Sequence, residues 1–94
     1  MRPWYDEFEL TDSAYRHGYD DEDFADMLRD RFLVLRRGRR RRRVYEVFGR
    51  NRAGEYLVAA GRVVESSGMS VLRIFHLNRM TPAQRNRYRR QVRP

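Results

Sequence analysis

The sequence predicts a small α+β fold, with two N-terminal helices packed on a four-stranded antiparallel sheet and a helix at the C-terminus. Three observations predict it. Helix-capping residues precede two short stretches before residue 30, four apolar runs separated by turn residues follow, and Thr81-Pro82 opens a final helix. Ninety-four residues allow one domain, residues 1–94, with one modest core.

The first predicted helix is short. Thr11 or Asp12 provides the N-terminal cap, and Gly18 ends the helix in the left-handed conformation that glycine tolerates. His17 therefore belongs to its last turn.

The second predicted helix runs from Asp20 to about Arg29, and its apolar residues Phe24, Met27 and Leu28 recur at helical spacing and face the core. Residues 20–23 are all acidic. Acids suit the positive end of the helix dipole, whereas four successive acids on a helix point in different directions. We therefore favour a helix start over a metal site.

Four strands are predicted at residues 32–35, 44–48, 55–64 and 70 to 75 or 76. Residues 36–43 are interpreted as a solvated hairpin loop, because five successive guanidinium groups repel one another in a packed element. Residues 50–54 form the next turn, and residues 65–69 form a loop around Gly68. The strand at 55–64 is apolar on both faces, which is typical of a central strand covered on two sides.

The final helix has the clearest start signal in the chain. Thr81 is the cap, Pro82 occupies the first helical position, and Gln84 completes a capping box. Arginines surround Tyr88 and Val92, so the helix has little apolar face and is expected to dock only in part.

The charge of the chain is strongly asymmetric. All 21 basic side chains are arginine and the net charge is +8. Residues 1–30 hold ten acids and three arginines, whereas residues 31–94 hold three acids and eighteen arginines. Because arginine binds phosphate in a bidentate manner, we expect attraction to nucleic acid or to an acidic protein. A generic basic surface is the alternative.

The absence of cysteine excludes disulfides and thiolate zinc sites. Residues 1–9 contain acids and no apolar run, so we expect neither a signal peptide nor a membrane span, and a cytoplasmic location. No cofactor and no metal are expected.

Two arginines are predicted to meet within the sheet. If the last two strands pair as a hairpin, Arg62 and Arg73 approach each other, which is costly unless an anion lies between them. The alternative is an ion pair between Glu46 and one of these arginines. Strand alternation also predicts that Leu72, Ile74 and His76 share one face, while Val71, Arg73 and Phe75 share the other.

A reactive site is predicted around the junction of the last strand and the last helix. Metal-independent RNA cleavage needs a proton acceptor, a proton donor and cations. Histidine is the side chain that titrates nearest to neutral pH, and the chain has two, His17 and His76. Arg62 and Arg79 provide cations, and the predicted RNA-binding residues are Arg50, Arg73, Asn78 and Arg85. Each histidine also has a structural alternative, for example as a helix cap.

Four blocks of the chain resemble the BrnT family of bacterial toxins, which belongs to the RelE/ParE-like superfamily. They are Arg16-His17-Gly18, the acidic stretch 21–24, residues 53–62 ending in Gly61-Arg62, and residues 78–85 from Asn78-Arg79 onward. The resemblance covers about residues 7–91, and the order and spacing of the blocks fit better than any single block.

The resemblance implies a ribosome-independent endoribonuclease that arrests growth. It also implies an antitoxin partner of ribbon-helix-helix type that neutralises the toxin in a hetero-oligomer and represses the shared operon. Carried over by position, His17, Arg62, Arg79 and Thr81 match the family's blocks.

Two other functions remain open at this stage. In one, the chain is a non-catalytic nucleic-acid-binding module whose arginines bind backbone phosphates. In the other, it is a protein-interaction domain whose basic surface docks an acidic partner.

Overall fold

The structure is a computed structural model that describes residues 4–39 and 43–92. Its elements are β1 (Glu7–Leu10), a 3₁₀ helix (Asp12–His17), α1 (Asp21–Met27), β2 (Leu33–Arg37), β3 (Val44–Arg50), β4 (Tyr56–Ser66), β5 (Met69–Arg79) and α2 (Pro82–Gln91). The strands form one sheet in the order β1-β5-β4-β3-β2. The α+β class is confirmed.

The predicted four-stranded antiparallel sheet was wrong, because β1 adds a fifth strand parallel to β5. The remaining neighbours pair in the antiparallel sense. β1 has only four residues and lies at the sheet edge, where Phe8 and Leu10 pack against the core and the intervening side chains are exposed. A strand of four residues is too short to give a clear alternating pattern in the sequence. The predicted order of elements, which began with two helices, was wrong because it lacked β1.

The two N-terminal helices are shorter or tighter than predicted. The first is a 3₁₀ helix that stops at Gly18, whose φ is +85°, and Thr11 flanks it without a side-chain capping bond. α1 ends at Met27 instead of Arg29. The acid run does open α1, because Asp20 accepts a hydrogen bond from the backbone N–H of Asp23 and the Asp23 side chain accepts one from Asp20.

The strands extend further than the apolar runs indicated. β2 includes Arg36 and Arg37, so the predicted arginine loop begins two residues later, and its residues 40–42 lie outside the described part of the chain. β4 and β5 are joined by a two-residue turn at Ser67 and Gly68, both with positive φ, as the right-handed twist of a tight hairpin demands. The predicted loop over 65–69 is therefore mostly strand.

The sheet is covered unequally on its two faces. One face packs on the N-terminal segment and α1 through the main core, whose members include Phe24, Met27, Leu57 and Leu77. On the opposite face α2 covers only one end, where Tyr88 packs with Phe48 and Val58. β4 is therefore covered on both sides only in part.

α2 begins as predicted. The Thr81 hydroxyl accepts a hydrogen bond from the backbone N–H of Gln84, and the Gln84 side chain accepts one from the N–H of Thr81, with Pro82 next to the cap. Tyr88 is buried and donates its hydroxyl to the carbonyl of Arg31 at 2.5 Å. Burial raises the pKa of the Tyr88 phenol. Much of the rest of the helix is exposed, consistent with partial docking.

A bulge interrupts the ladder between β4 and β5. Ala60 pairs with His76, but the next residue, Gly61, pairs with Ile74, so Phe75 is the extra residue. A Cβ at Gly61 would lie 2.7 Å from the carbonyl oxygen of Arg73, so only glycine fits this close approach. No helix among the described residues is long and apolar enough to cross a membrane.

Candidate active site

His17 and His76 are in contact. Their ring centroids lie 5.8 Å apart, with the rings inclined at 75° in an edge-to-face arrangement. His17 is exposed and His76 is half-buried. The structure thus brings together the two histidines that the sequence singled out as proton-transfer groups.

The end of β1 explains how His17 reaches this position. β1 pairs with β5 only as far as Leu10, opposite Ile74, and the 3₁₀ helix then runs along the edge of β5. The N–H of Thr11 donates to the Ile74 carbonyl at 2.8 Å, and the Ser13 hydroxyl donates to the Phe75 carbonyl at 2.7 Å. The 3₁₀ helix is therefore anchored at the bulge, and its last residue lies beside His76.

The bulge also sets which side chains accompany His76. Ala59 and Leu77 are paired and buried in the main core, so their neighbours Ala60 and His76 face the opposite side of the sheet. Past the bulge, Val63 and Leu72 face the main core, and the Arg62–Arg73 pair therefore lies on the same side as His76. The prediction that His76 shares a face with Leu72 and Ile74 was wrong, because the extra residue changes the alternation.

Phe75, the residue before His76, contacts one of these arginines. The guanidinium carbon of Arg62 is 5.1 Å from the centre of the Phe75 ring. Phe75 is half-buried and belongs to neither apolar cluster. We call this surface the histidine face and define it as His17, Arg62, Arg73, Phe75 and His76.

Arg62 and Arg73 are direct cross-strand partners, as the hairpin pairing predicted. Neither arginine forms the ion pair with Glu46 that was the predicted alternative. Arg73 donates to Glu9 of β1 at 2.6 Å, while Glu46 pairs with Arg37 of β2. The alternative of a Glu46 partner was therefore wrong, because the unpredicted β1 places Glu9 beside Arg73. Among the described residues, Arg62 has no carboxylate partner.

Arg79 is not part of the histidine face. It pairs in register with the buried Leu57, so it lies on the main-core side of the sheet. Its guanidinium donates to the Tyr19 hydroxyl at 3.0 Å and forms an ion pair with Glu55 at 3.3 Å. These neighbours, the Tyr19 hydroxyl first among them, raise the pKa of Arg79.

Glu55 is the centre of a polar network beneath the Tyr56 end of the sheet. Its carboxylate accepts hydrogen bonds from the Asn51 amide at 3.1 Å and from the Tyr19 hydroxyl at 2.8 Å. The hydrogen bond from Asn51, followed by that from Tyr19, lowers the pKa of Glu55. Asn51 is buried and also donates to Asp23, so the network ties the β3–β4 turn to α1.

The other predicted RNA-binding residues lie near α2. Arg50 and Arg85 approach the Tyr56 ring, at 5.1 and 5.8 Å from its centre. Tyr56, Arg79 and Arg85 line an open cleft of about 300 Å³ together with Glu55 and Met80, which we call the tyrosine cleft. Asn78 pairs with Val58 and accepts a hydrogen bond from the N–H of Arg79, so it lies between the two surfaces.

The site residues that sequence reasoning missed are Phe75, Ser13 and Tyr56. Phe75 was assigned to the face opposite His76, although a glycine inside a strand, Gly61, is a recognised sign of a bulge. Ser13 bonds to a backbone carbonyl far along the chain, which no local pattern reports. Among residues 4–39 and 43–92, no group of three or more potential metal ligands converges.

Comparison with known proteins gives no family assignment. No family model matches the chain, and no curated protein matches it.

Proposed function

We propose that this chain is a metal-independent endoribonuclease that acts as the toxin of a type II toxin–antitoxin system. The observation that carries the proposal is the contact between His17 and His76 at the edge of a basic sheet face. Two imidazoles at this separation can each hydrogen-bond to a different oxygen of one phosphodiester group, which is the requirement of paired acid–base catalysis.

The proposed reaction is an internal transesterification. One imidazole, in its neutral form, accepts the proton of the ribose 2′-hydroxyl as the 2′-oxygen attacks phosphorus. The other imidazole, in its protonated form, donates a proton to the departing 5′-oxygen as the phosphorus–oxygen bond breaks. The products are a 2′,3′-cyclic phosphate and a free 5′-hydroxyl, and the two histidines exchange protonation states.

Cations next to the histidines support this chemistry. Arg62 and Arg73 lie on the same sheet face as His76, and the pentacoordinate phosphorus carries more negative charge than the starting diester. Arg62 has no carboxylate partner among the described residues, so it is the cation that a phosphate recruits at least cost. Arg79, bound to Glu55 and Tyr19, acts at most as a distant phosphate contact.

The biological role rests on the resemblance to the BrnT family in the four sequence blocks. In that role the partner is a ribbon-helix-helix antitoxin, and the +8 net charge suits both RNA and an acidic antitoxin segment. The proposed location is the cytoplasm, where RNA is available.

The test uses purified protein and a 5′-labelled single-stranded RNA in the presence of EDTA. We expect cleavage to fragments that end in a 2′,3′-cyclic phosphate. A substrate with 2′-deoxyribose at the cleavage position is the matched control and stays intact. RNA that survives intact at enzyme excess, from protein shown to be folded, would contradict the proposal.

A non-catalytic RNA-binding module is the second candidate, and the tyrosine cleft favours it. Arg50 and Arg85 lie close to the Tyr56 ring, away from the histidines, so this surface can bind phosphate without the histidine pair. In that case binding falls steeply with salt, and His17→Ala and His76→Ala change neither affinity nor RNA integrity.

A further inference from the structure

Phe75 is an aromatic side chain without a structural role in either core. It is the extra residue of the bulge, it is half-buried, and it packs with neither apolar cluster. Its ring contacts the guanidinium of Arg62, and its carbonyl accepts a hydrogen bond from Ser13. The backbone of Phe75 is thus fixed, while its ring lies against Arg62 and outside both apolar clusters of the described residues.

The surroundings of the ring match the chemistry of nucleobase binding. The next residue, His76, belongs to the proposed catalytic pair, and Arg73 lies across the ladder from Arg62. Other proteins bind single-stranded nucleic acid with this combination, in which a base stacks on an aromatic ring and nearby arginines bind the backbone. α2 covers Phe48 and Val58 at the other end of this face but does not reach Phe75.

We propose that Phe75 is the stacking platform for one unpaired nucleobase, so that the ligand of the histidine face is single-stranded RNA. This inference deepens the proposed function and rests on it for the identity of the ligand. The base takes the position over the ring that Arg62 now occupies, and Arg62 moves to the adjacent phosphate. The exchange is favourable because an exposed cation–π contact is weaker than base stacking.

Stacking at Phe75 also fixes which nucleotide of the RNA lies beside the histidines. A base held one residue from His76 places its own ribose or the neighbouring one beside the imidazoles. Because every base has an aromatic face, the platform selects unpaired nucleotides over duplex and discriminates little between base types.

The experiment measures binding of a labelled ten-nucleotide 2′-O-methyl RNA, which lacks the attacking 2′-hydroxyl and is not cleaved. A single abasic nucleotide is moved along it one position at a time. For the unmodified protein, one or two abasic positions are expected to weaken binding by about 5- to 150-fold, the range that base stacking on one aromatic ring supplies.

Phe75→Leu is expected to weaken binding of the intact oligonucleotide by the same factor and to abolish the effect of the abasic site. Phe75→Tyr retains both, because the ring is kept. Tyr15→Leu is the matched control, since it removes an exposed aromatic ring whose hydroxyl bonds to Asp21 outside the histidine face. Far-ultraviolet circular dichroism of each variant establishes that it is folded.

The outcomes separate this inference from the proposed function. Abasic sensitivity that disappears in Phe75→Leu supports the platform, even if unmodified RNA is never cleaved. Binding that ignores abasic substitution at every position, and that is unchanged in an oligonucleotide abasic throughout, overturns the platform and leaves the nuclease standing if cleavage is observed. Failure to bind the oligonucleotide at all overturns the platform as well.

Discussion

The imidazoles of His17 and His76 meet edge to face with their centroids 5.8 Å apart, although they come from the first helical segment and the last strand. The contact depends on two features that act together. β1 stops at Leu10 and leaves the edge of β5 free for the 3₁₀ helix, and the bulge at Phe75 turns His76 away from the main core. The candidate site therefore depends on the free edge of β5 and the bulge as well as on the two histidines.

Replacing either histidine by alanine is expected to lower the RNA cleavage rate by about 10²- to 10⁴-fold, the contribution of one positioned general acid or base. Single-turnover assays with labelled RNA measure the effect. Tyr15→Phe, close in sequence to His17, is the control and is expected to cleave at the unmodified rate. Equal loss in that control would assign the effect to disruption of the 3₁₀ helix instead of proton transfer.

Ser13→Ala removes the hydrogen bond to the Phe75 carbonyl that anchors the 3₁₀ helix at the bulge. The free energy of unfolding is expected to fall by about 0.5–1.5 kcal/mol, as for one intramolecular hydrogen bond. Cleavage is expected to fall as well, because His17 loses its fixed position. Urea denaturation and RNA cleavage measure the two effects, with Ser66→Ala at the far end of β4 as the control. A stability loss with unchanged cleavage would show that this anchor does not position His17.

Alanine substitution of Arg62 or Arg73 is expected to change the salt dependence of RNA binding, whereas alanine substitution of Arg29 is not. Each phosphate contact that is lost makes the slope of log affinity against log salt shallower by about 0.7 for a single strand. Arg62→Ala is expected to show this change, and Arg73→Ala to show less, because Arg73 is already paired with Glu9. Arg29→Ala, which removes an ion pair with Asp26 in the acidic segment 1–30, is the control.

Identical slopes for Arg62→Ala and the unmodified protein would place the phosphate contacts elsewhere. The surroundings of Tyr56 are then the next surface to test, through Arg50→Ala, whose guanidinium lies over the Tyr56 ring, and Arg85→Ala in the tyrosine cleft.

The parts of the fold that the sequence predicted are those with local causes. The start of α2 follows from Thr81 and Gln84, which bond to each other, and from Pro82 next to the cap, and the strand segments follow from apolar runs. β1 was missed because it is stabilised by pairing with β5, which lies near the other end of the sequence. No local pattern of four residues contains that information.

The candidate site shows the same division. His17 and His76 could be chosen because histidine chemistry is a property of the residue type. The carboxylate partners of the arginines could not be predicted from the sequence. Glu9 reaches Arg73 only through the unpredicted β1, and Glu55 binds Arg79 at the end of the sheet away from the histidines. The bulge then decided which face His76 and Phe75 share.

Glu55→Gln is expected to change how stability depends on pH. The pKa of Glu55 is lowered in the folded protein below its ordinary value of 4.5, by the hydrogen bond from Asn51 first and from Tyr19 second. The stabilisation by its charged form is therefore fully present above pH 4.5 and is lost as the pH falls through the lower folded-state pKa. Urea denaturation at several pH values is expected to show a shallower acid loss in Glu55→Gln. Glu7→Gln, on the exposed side of β1, is the control for removing one negative charge.

Gly61→Ala tests whether the bulge assembles the site. Its added Cβ would lie 2.7 Å from the Arg73 carbonyl oxygen and 3.1 Å from the Ile74 Cα, both of them backbone atoms that cannot rotate away. We expect the free energy of unfolding to fall by about 1–3 kcal/mol, as for overpacking of a close contact.

We also expect cleavage to fall, because Arg73 and Ile74 lead directly into Phe75 and His76. Gly68→Ala is the matched control. Its φ of +79° makes alanine unfavourable by about 1–2 kcal/mol, but no atom lies within 4 Å of the added Cβ and the residue belongs to the distant β4–β5 turn. Comparable destabilisation with cleavage retained in Gly68→Ala and lost in Gly61→Ala would assign the effect to the bulge. Retained cleavage in both variants would show that the register of β4 against β5 does not control the histidine pair.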